Sequence, residues 1–212
     1  GCASVADAGG SLLFYTDGRT IWNQTHQPMA NGTNLNGHNS TTQSSLIVKK
    51  PGSTNKYFVF TLDQLGSDLY YSEVDMLLAN GMGSVTAKNV LLVQTQTERL
   101  AGTIHCNGTD VWVLSHSYGN SDFNAFLVTN NGINANPIVS TIGNAQNNNR
   151  FAGQMKISAN GGKILVGTYG GNTVELFDFD KSTGIVSNSL VIGSNASAAY
   201  GVEFSPDCTK AY

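Results

Sequence analysis

The sequence predicts an all-β chain of repeated four-stranded units, on three observations. A turn phrase recurs: Ile157-Ser-Ala-Asn-Gly-Gly-Lys-Ile-Leu-Val166 has looser copies at Val5-Ala-Asp-Ala-Gly-Gly-Ser-Leu-Leu-Phe14, Val48-Lys-Lys-Pro-Gly-Ser, Ile104-His-Cys-Asn-Gly-Thr and Phe204-Ser-Pro-Asp-Cys-Thr. The copies start at 5, 48, 104, 157 and 204, a spacing of 43, 56, 53 and 47 residues. Helical periodicity is nearly absent; its one candidate, Ser72 to Ala79, reads equally well as the end of a strand. A period near 50 with several strands per unit is that of a β-propeller in which each repeat is one antiparallel blade. The expected blades are residues 1–43, 44–98, 99–149 and 150–199, with the next beginning at 200–212: about four blades of an incomplete ring in one partial propeller domain.

Each element follows from local pattern. In the first blade, Cys2–Ala6, Ser11–Thr16 and Arg19–Asn23 are strands, with Asp17-Gly18 expected as a type I′ hairpin turn because both central residues tolerate positive φ. Residues 24–43 are polar and Asn-rich and read as a long ordered loop with room for a short fourth strand. The second blade supplies Ser45–Val48, Lys56–Thr61, Leu69–Val74 and Ser84–Val93. The third supplies Leu100–His105, Asp110–Ser115, Asp122–Val128 and Pro137–Ile142, turning at Asn130-Asn131-Gly132. The fourth supplies Gly153–Ile157, Lys163–Thr168, Thr173–Phe179 and Ser187–Ile192, turning at Asp180-Lys-Ser-Thr-Gly184. A fifth starts at Gly201, and the chain, opening and stopping inside strands, reads as a piece of something longer.

Composition narrows the function. The chain has 212 residues with 40% hydrophobic content, enough for a core, yet only 12% charged residues and a formal charge of −3. A nucleic-acid partner, which requires a basic face to displace counterions, is not expected. No apolar run approaches the roughly 18 residues of a membrane span. Cys2, Cys106 and Cys208 are too far apart for a zinc spacing and read as buried or incidental thiols, or as one disulfide with a thiol left over.

Leu12-Leu-Phe-Tyr-Thr-Asp-Gly18, Trp22-Asn23, His26-Gln27 through Met29, Asn31-Gly32, Thr42-Gln43-Ser44, His105-Cys106-Asn107-Gly108 and Phe204-Ser205-Pro206-Asp207 resemble phrases of the propeller regions of large secreted or surface proteins of Bacteroidetes-type bacteria. Those proteins belong to the type IX secretion and gliding-motility kind, with YVTN- or WD-like repeats. The resemblance spans the chain and implies a secreted or cell-surface location, further domains on the same parent chain, and a binding or scaffold role. It carries no catalytic residue.

Nucleophile elbows, phosphate loops and zinc-protease helices are missing from the sequence. Gly81-Met-Gly83 is a strand turn. His105 and His116 lie about five positions apart along their hairpin, some 15 Å at roughly 3.3 Å per residue, too far to share a metal. Asp180 is expected to cap its own turn, with Gly184 at positive φ. The five Asn-x-Ser/Thr triplets, at Asn23, Asn31, Asn39, Asn107 and Asn195, follow from composition. No cofactor, metal site or catalytic residue is assigned.

Propellers place function in the loops at one mouth of the central channel, where second-to-third-strand turns meet the blade crossings. Projected onto this chain, that face carries Asp17, Arg19, Gln43, Arg99, His116, Tyr118, Arg150, Tyr169 and Tyr200, with Asp63 and Gln64 nearby. The expected function is non-enzymatic recognition of a protein or glycan there. The alternative is an extracellular propeller enzyme acting on polysaccharide, a hydrolase or lyase. It requires two facing carboxylates about 5–10 Å apart, with Asp17, Asp63 and Glu203 as candidates.

Overall fold

The computed structural model describes residues 1–64, 68–194 and 199–212. Asn195, one of the Asn-x-Ser/Thr positions, lies outside them. Four antiparallel sheets follow one another along the chain. The first holds β1 (Ala3–Ala6), β2 (Leu12–Thr16) and β3 (Ile21–Asn23). The second is β4 (Ser45–Lys49), β5 (Lys56–Leu62), β6 (Leu69–Asp75) and β7 (Ser84–Val93). The third is β8 (Gln96–Ile104), β9 (Val111–Ser117) and β10 (Asp122–Thr129), flanked by β11 (Gly132–Ile133) and β12 (Ile138–Thr141). The fourth is β13 (Met155–Ile157), β14 (Lys163–Thr168), β15 (Thr173–Asp180) and β16 (Ile185–Ser194). A bridge between Phe204 and Ala211 closes a further hairpin. The chain is an all-β propeller.

Side-chain alternation builds the core. On β5, Tyr57 and Val59 join Phe14, Ile21 and Met29 of the first sheet, while Phe58, Phe60 and Leu62 join Leu100, Val113 and Phe126 of the third. On β9 the same division sends Val113 to the second sheet, and Trp112 and Leu114 to Met155, Ile164 and Phe177 of the fourth. The second and third blades thus each share one core with the blade before and another with the blade after, as a strand period of 2 requires of a sheet covered on both faces. Phe58, Trp112, Phe126 and Phe177 are the expected inter-blade aromatics; Trp112 meets Phe179 edge-on at 6.3 Å and donates its indole N–H to Lys181 O at 2.8 Å.

One local expectation changes and two are sharpened. The Asp17-Gly18 turn is not a two-residue hairpin. Thr16 pairs with Ile21, and Asp17 Oδ1 accepts the amides of Arg19 and Thr20 at 2.8 and 2.9 Å, so only Gly18 takes a positive φ, of 93°. Within residues 24–43 the stretch 27–32 runs back along β3, through an antiparallel Trp22–Pro28 bridge and hydrogen bonds from Asn23 N to Gln27 O at 2.9 Å and Met29 N to Ile21 O at 2.8 Å, short of a full fourth strand. It also packs against the next blade, through an Ala30–Ser84 bridge and an Asn31 Nδ2 to Val85 O hydrogen bond of 3.0 Å. The cysteines are free, with Cys2 and Cys106 exposed and Cys208 half-buried, which leaves incidental thiols of the expected alternatives. Asp180 caps its turn as expected, accepting Ser182 N at 2.8 Å, with Gly184 at φ 79°.

Candidate active site at the channel mouth

The innermost strands β1, β4, β8 and β13 lie against one another around the axis. Their first residues share one end with the second-to-third-strand turns, because Ser45 pairs with Thr61, Leu100 with Ser115 and Met155 with Val166. Into that end run the crossings 41–44, 94–99, 146–154 and 199–202, the second of them taking in the first residues of β8, whose pairing with β9 is irregular between Gln96 and Leu100.

Gln43 ties three blades together. Its Nε2 donates to Met155 O at 3.0 Å, and its Oε1 accepts Met155 N at 2.8 Å and Leu100 N at 3.3 Å. The side-chain amide therefore mimics one residue of a strand ladder across the axis. Its polar atoms are spent on the scaffold. Gln154 holds the corresponding place two units on, its Oε1 accepting Val202 N at 3.4 Å.

Beside Gln43, three residues from three crossings form a line of hydrogen bonds. Glu98, only 6% exposed, accepts both Thr42 N at 2.8 Å and Thr42 Oγ1 at 2.7 Å on its Oε2. The Tyr200 hydroxyl, on a side chain 45% exposed, donates to Thr42 Oγ1 at 3.0 Å. A carboxylate only accepts, so the Thr42 proton points to Glu98 and the Tyr200 proton to Thr42, which leaves the Tyr200 oxygen lone pairs facing solvent. Sequence reasoning named Tyr200 but missed Thr42 and Glu98. The signal that finds them is positional: each immediately precedes a named crossing residue, Gln43 and Arg99.

Below this line lies a cavity of about 380 Å³ lined by Cys2, Thr42, Gln43, Leu46, Leu100, Gln154 and Lys156, among others. A second, of about 430 Å³, shares Gln154 and Lys156 and adds Glu203 and Tyr212. Lys156 and Glu203 pair at 2.9 Å, and that hydrogen bond holds the Glu203 carboxyl below the usual carboxylate range.

The other predicted residues divide by depth. Arg99 is fully buried and donates to backbone carbonyls of the next crossing, Arg150 O at 3.1 Å, Phe151 O at 3.3 Å and Ala152 O at 3.0 Å, and to Gly167 O of β14 at 2.9 Å. Burial pulls its guanidinium down to about 10, against the opposing pull of Glu175 and Glu98. His116 is 1% exposed, packed edge-on against Phe123 at 4.5 Å, with Nδ1 2.9 Å from Ser117 O. Burial first, and the Arg99 charge second, hold its imidazole down to about 3. Arg99 and His116 thus lie beneath the face, supporting it. Tyr169 and Tyr200 meet edge-on at 6.1 Å and are exposed. Arg19 is exposed, Tyr118 and Arg150 half-buried, and Asp17 is engaged in its own turn. Of the carboxylates proposed for a polysaccharide enzyme, Asp63 Oδ1 accepts the next amide at 2.8 Å and Glu203 is paired with Lys156. Among the described residues, no group of three or more His, Cys, Asp and Glu side chains is placed to hold a metal ion, and no helix is long and apolar enough to cross a membrane.

No protein-family model and no curated protein sequence matches the chain. Solved structures do. The chain is similar to the periplasmic gluconolactonase PpgL of Pseudomonas aeruginosa, with a TM-score of 0.53 at 15% identity over 93% of this chain and 54% of that one. It is similar to a Bacteroides fragilis protein assigned as a 6-phosphogluconolactonase, with a TM-score of 0.54 at 12% identity over 99% of this chain and 58% of that one. A luciferin-regenerating enzyme matches with a TM-score of 0.50 at 12% identity over 91% and 60%. The chain therefore spans between half and two thirds of the length of these structures. At such identity the likeness is one of fold alone, that of a β-propeller. It carries nothing of type IX secretion, gliding motility or YVTN repeats. The expectation of a non-enzymatic binding or scaffold module is corrected here: the propellers this chain resembles are described as enzymes, and its channel mouth holds a buried carboxylate wired to an exposed hydroxyl.

Proposed function

We propose that this chain forms the propeller of an exported hydrolase that opens a lactone or ester of a sugar-derived substrate at the channel mouth. The observation that carries the reading is the Tyr200–Thr42–Glu98 line, which links a solvent-facing oxygen to a buried base through oriented hydroxyls. A water molecule hydrogen-bonded to Tyr200 Oη attacks the acyl carbon and gives its proton to that oxygen. Tyr200 passes its own proton to Thr42 and Thr42 passes one to Glu98, leaving a protonated Glu98 and a tetrahedral oxyanion. When the oxyanion collapses, the ring C–O bond breaks and the relay, run in reverse, protonates the departing alkoxide. The product carries one acid and one new hydroxyl, and Glu98 is a carboxylate again. The lactone-hydrolysing descriptions of two structural neighbours support the reaction class, and the periplasmic one, together with the resemblance to surface propellers, supports export. Further domains on the parent chain belong to this proposal too.

The test is acid release from glucono-δ-lactone and other aldonolactones, followed with a pH indicator against the spontaneous rate. The protein is expected to exceed that rate, and Glu98→Gln to lose about 10²–10³-fold of the excess. No excess over the spontaneous rate with any aldonolactone or simple sugar ester overturns the proposal.

A further inference from the structure

We infer that the mouth carries a subsite for an oxyanionic substituent of the substrate, a carboxylate or a phosphate, read by the guanidinium of Arg150; the inference rests on the hydrolase reading. Among the described residues no carboxylate lies within ion-pairing distance of this guanidinium. It is half-buried rather than free in solvent. A positive charge held in a partly desolvated position without an internal counterion is a ready partner for an incoming anion, and a planar guanidinium suits the two oxygens of a carboxylate or phosphate.

The seat of Arg150 is built. The short turn Asn148–Arg150 lies on the turn Tyr169–Gly171, and that approach depends on two glycines. A Cβ on Gly170 would stand 2.2 Å from Asn149 O, and one on Gly171 only 3.2 Å from Arg150 Cζ and Nη1. From below, Arg99 binds Arg150 O, which fixes the backbone that carries the side chain. The same turn presents Tyr169, whose ring meets that of Tyr200, the outer end of the proton relay. The guanidinium, the exposed aromatic pair and the relay are thus successive neighbours around one rim. An anion on Arg150 would lay a sugar-derived chain across the tyrosines with its acyl group toward Tyr200 Oη.

Equilibrium binding separates this inference from turnover. Titration calorimetry would compare D-glucarate and 6-phospho-D-gluconate, each with an anion at the end opposite the acyl-derived carboxylate, against D-gluconate, which lacks it, using the protein, Arg150→Gln, Arg150→Lys and Glu98→Gln, each checked by thermal melting. The expected result is at least tenfold tighter binding of one or both doubly anionic ligands than of gluconate, abolished in Arg150→Gln, partly kept in Arg150→Lys and fully kept in Glu98→Gln. Preference for 6-phospho-D-gluconate over glucarate assigns the subsite to phosphate, and equal or tighter binding of glucarate assigns it to carboxylate. Binding of both no tighter than that of gluconate, or a preference that survives Arg150→Gln, overturns the inference. A preference that depends on Arg150 in a protein with no hydrolytic activity sinks the hydrolase reading and leaves the subsite standing.

Discussion

Thr42 presents its amide and its hydroxyl to the same oxygen of Glu98, at 2.8 and 2.7 Å, and so fixes a carboxylate of one blade on the first residues of another. Removing the hydroxyl breaks the relay while the amide still holds Glu98. Thr42→Val is therefore expected to lower kcat about 10²-fold with KM little changed, and Tyr200→Phe to do the same. Steady-state kinetics on the most active lactone checks this; a change confined to KM would assign both residues to binding.

His116 makes stability depend on acid. Its pKa falls from 6.5 to about 3 on folding, so the unfolded chain binds the extra proton between those values. The stabilising effect is complete above about pH 6.5 and is lost progressively as pH falls toward 3, reaching about 3 kcal/mol near pH 4. Urea midpoints measured from pH 7 to pH 4 should fall less steeply in His116→Phe than in the natural protein.

Arg99 serves carbonyl oxygens, and truncating it strands several of them in a dry interface. Arg99→Ala is expected to cost about 3 kcal/mol or more. Arg99→Lys should recover little, because an ammonium donates from a single point whereas the guanidinium here spans Arg150 O and Gly167 O. Chemical denaturation of the two variants measures the difference.

Gly153 has φ 119°, and a Cβ there would stand 2.2 Å from Gly167 O. Gly153→Ala is expected to destabilise by about 2 kcal/mol or more and to displace the crossing that carries Arg150. The measurement is a thermal melt, paired with an activity assay that should fall even where the variant is folded.

Strands were readable wherever alternation was strong. Lys56-Tyr-Phe-Val-Phe-Thr61 shows β5, and its two apolar faces already imply cover on both sides. The first blade was harder, since the Asx cap of Asp17 and the docking of residues 24–41 on β7 are set by neighbours in space. Of the relay only Tyr200 was readable, as a crossing residue; its connection was not, since Thr42 lies 56 positions from Glu98 and 158 from Tyr200, and no local pattern encodes the angle at which blades converge. Arg99 and His116 were placed at the correct end of their strands, yet their polarity suggested solvent. The facing carbonyls of 150–152 and the Phe123 ring that bury them belong to other segments.

The Gln43 amide reaches past the adjacent repeat to the one beyond it. Repeat proteins whose units touch only their neighbours can be treated as a chain of pairwise couplings, melting from either end unit by unit. A link between second and fourth units adds a next-nearest coupling to that scheme, so β4, β8 and β13 should lose their amide protection together in hydrogen exchange, as one cooperative block at the axis, while the outer strands β7 and β16 open at lower free energy.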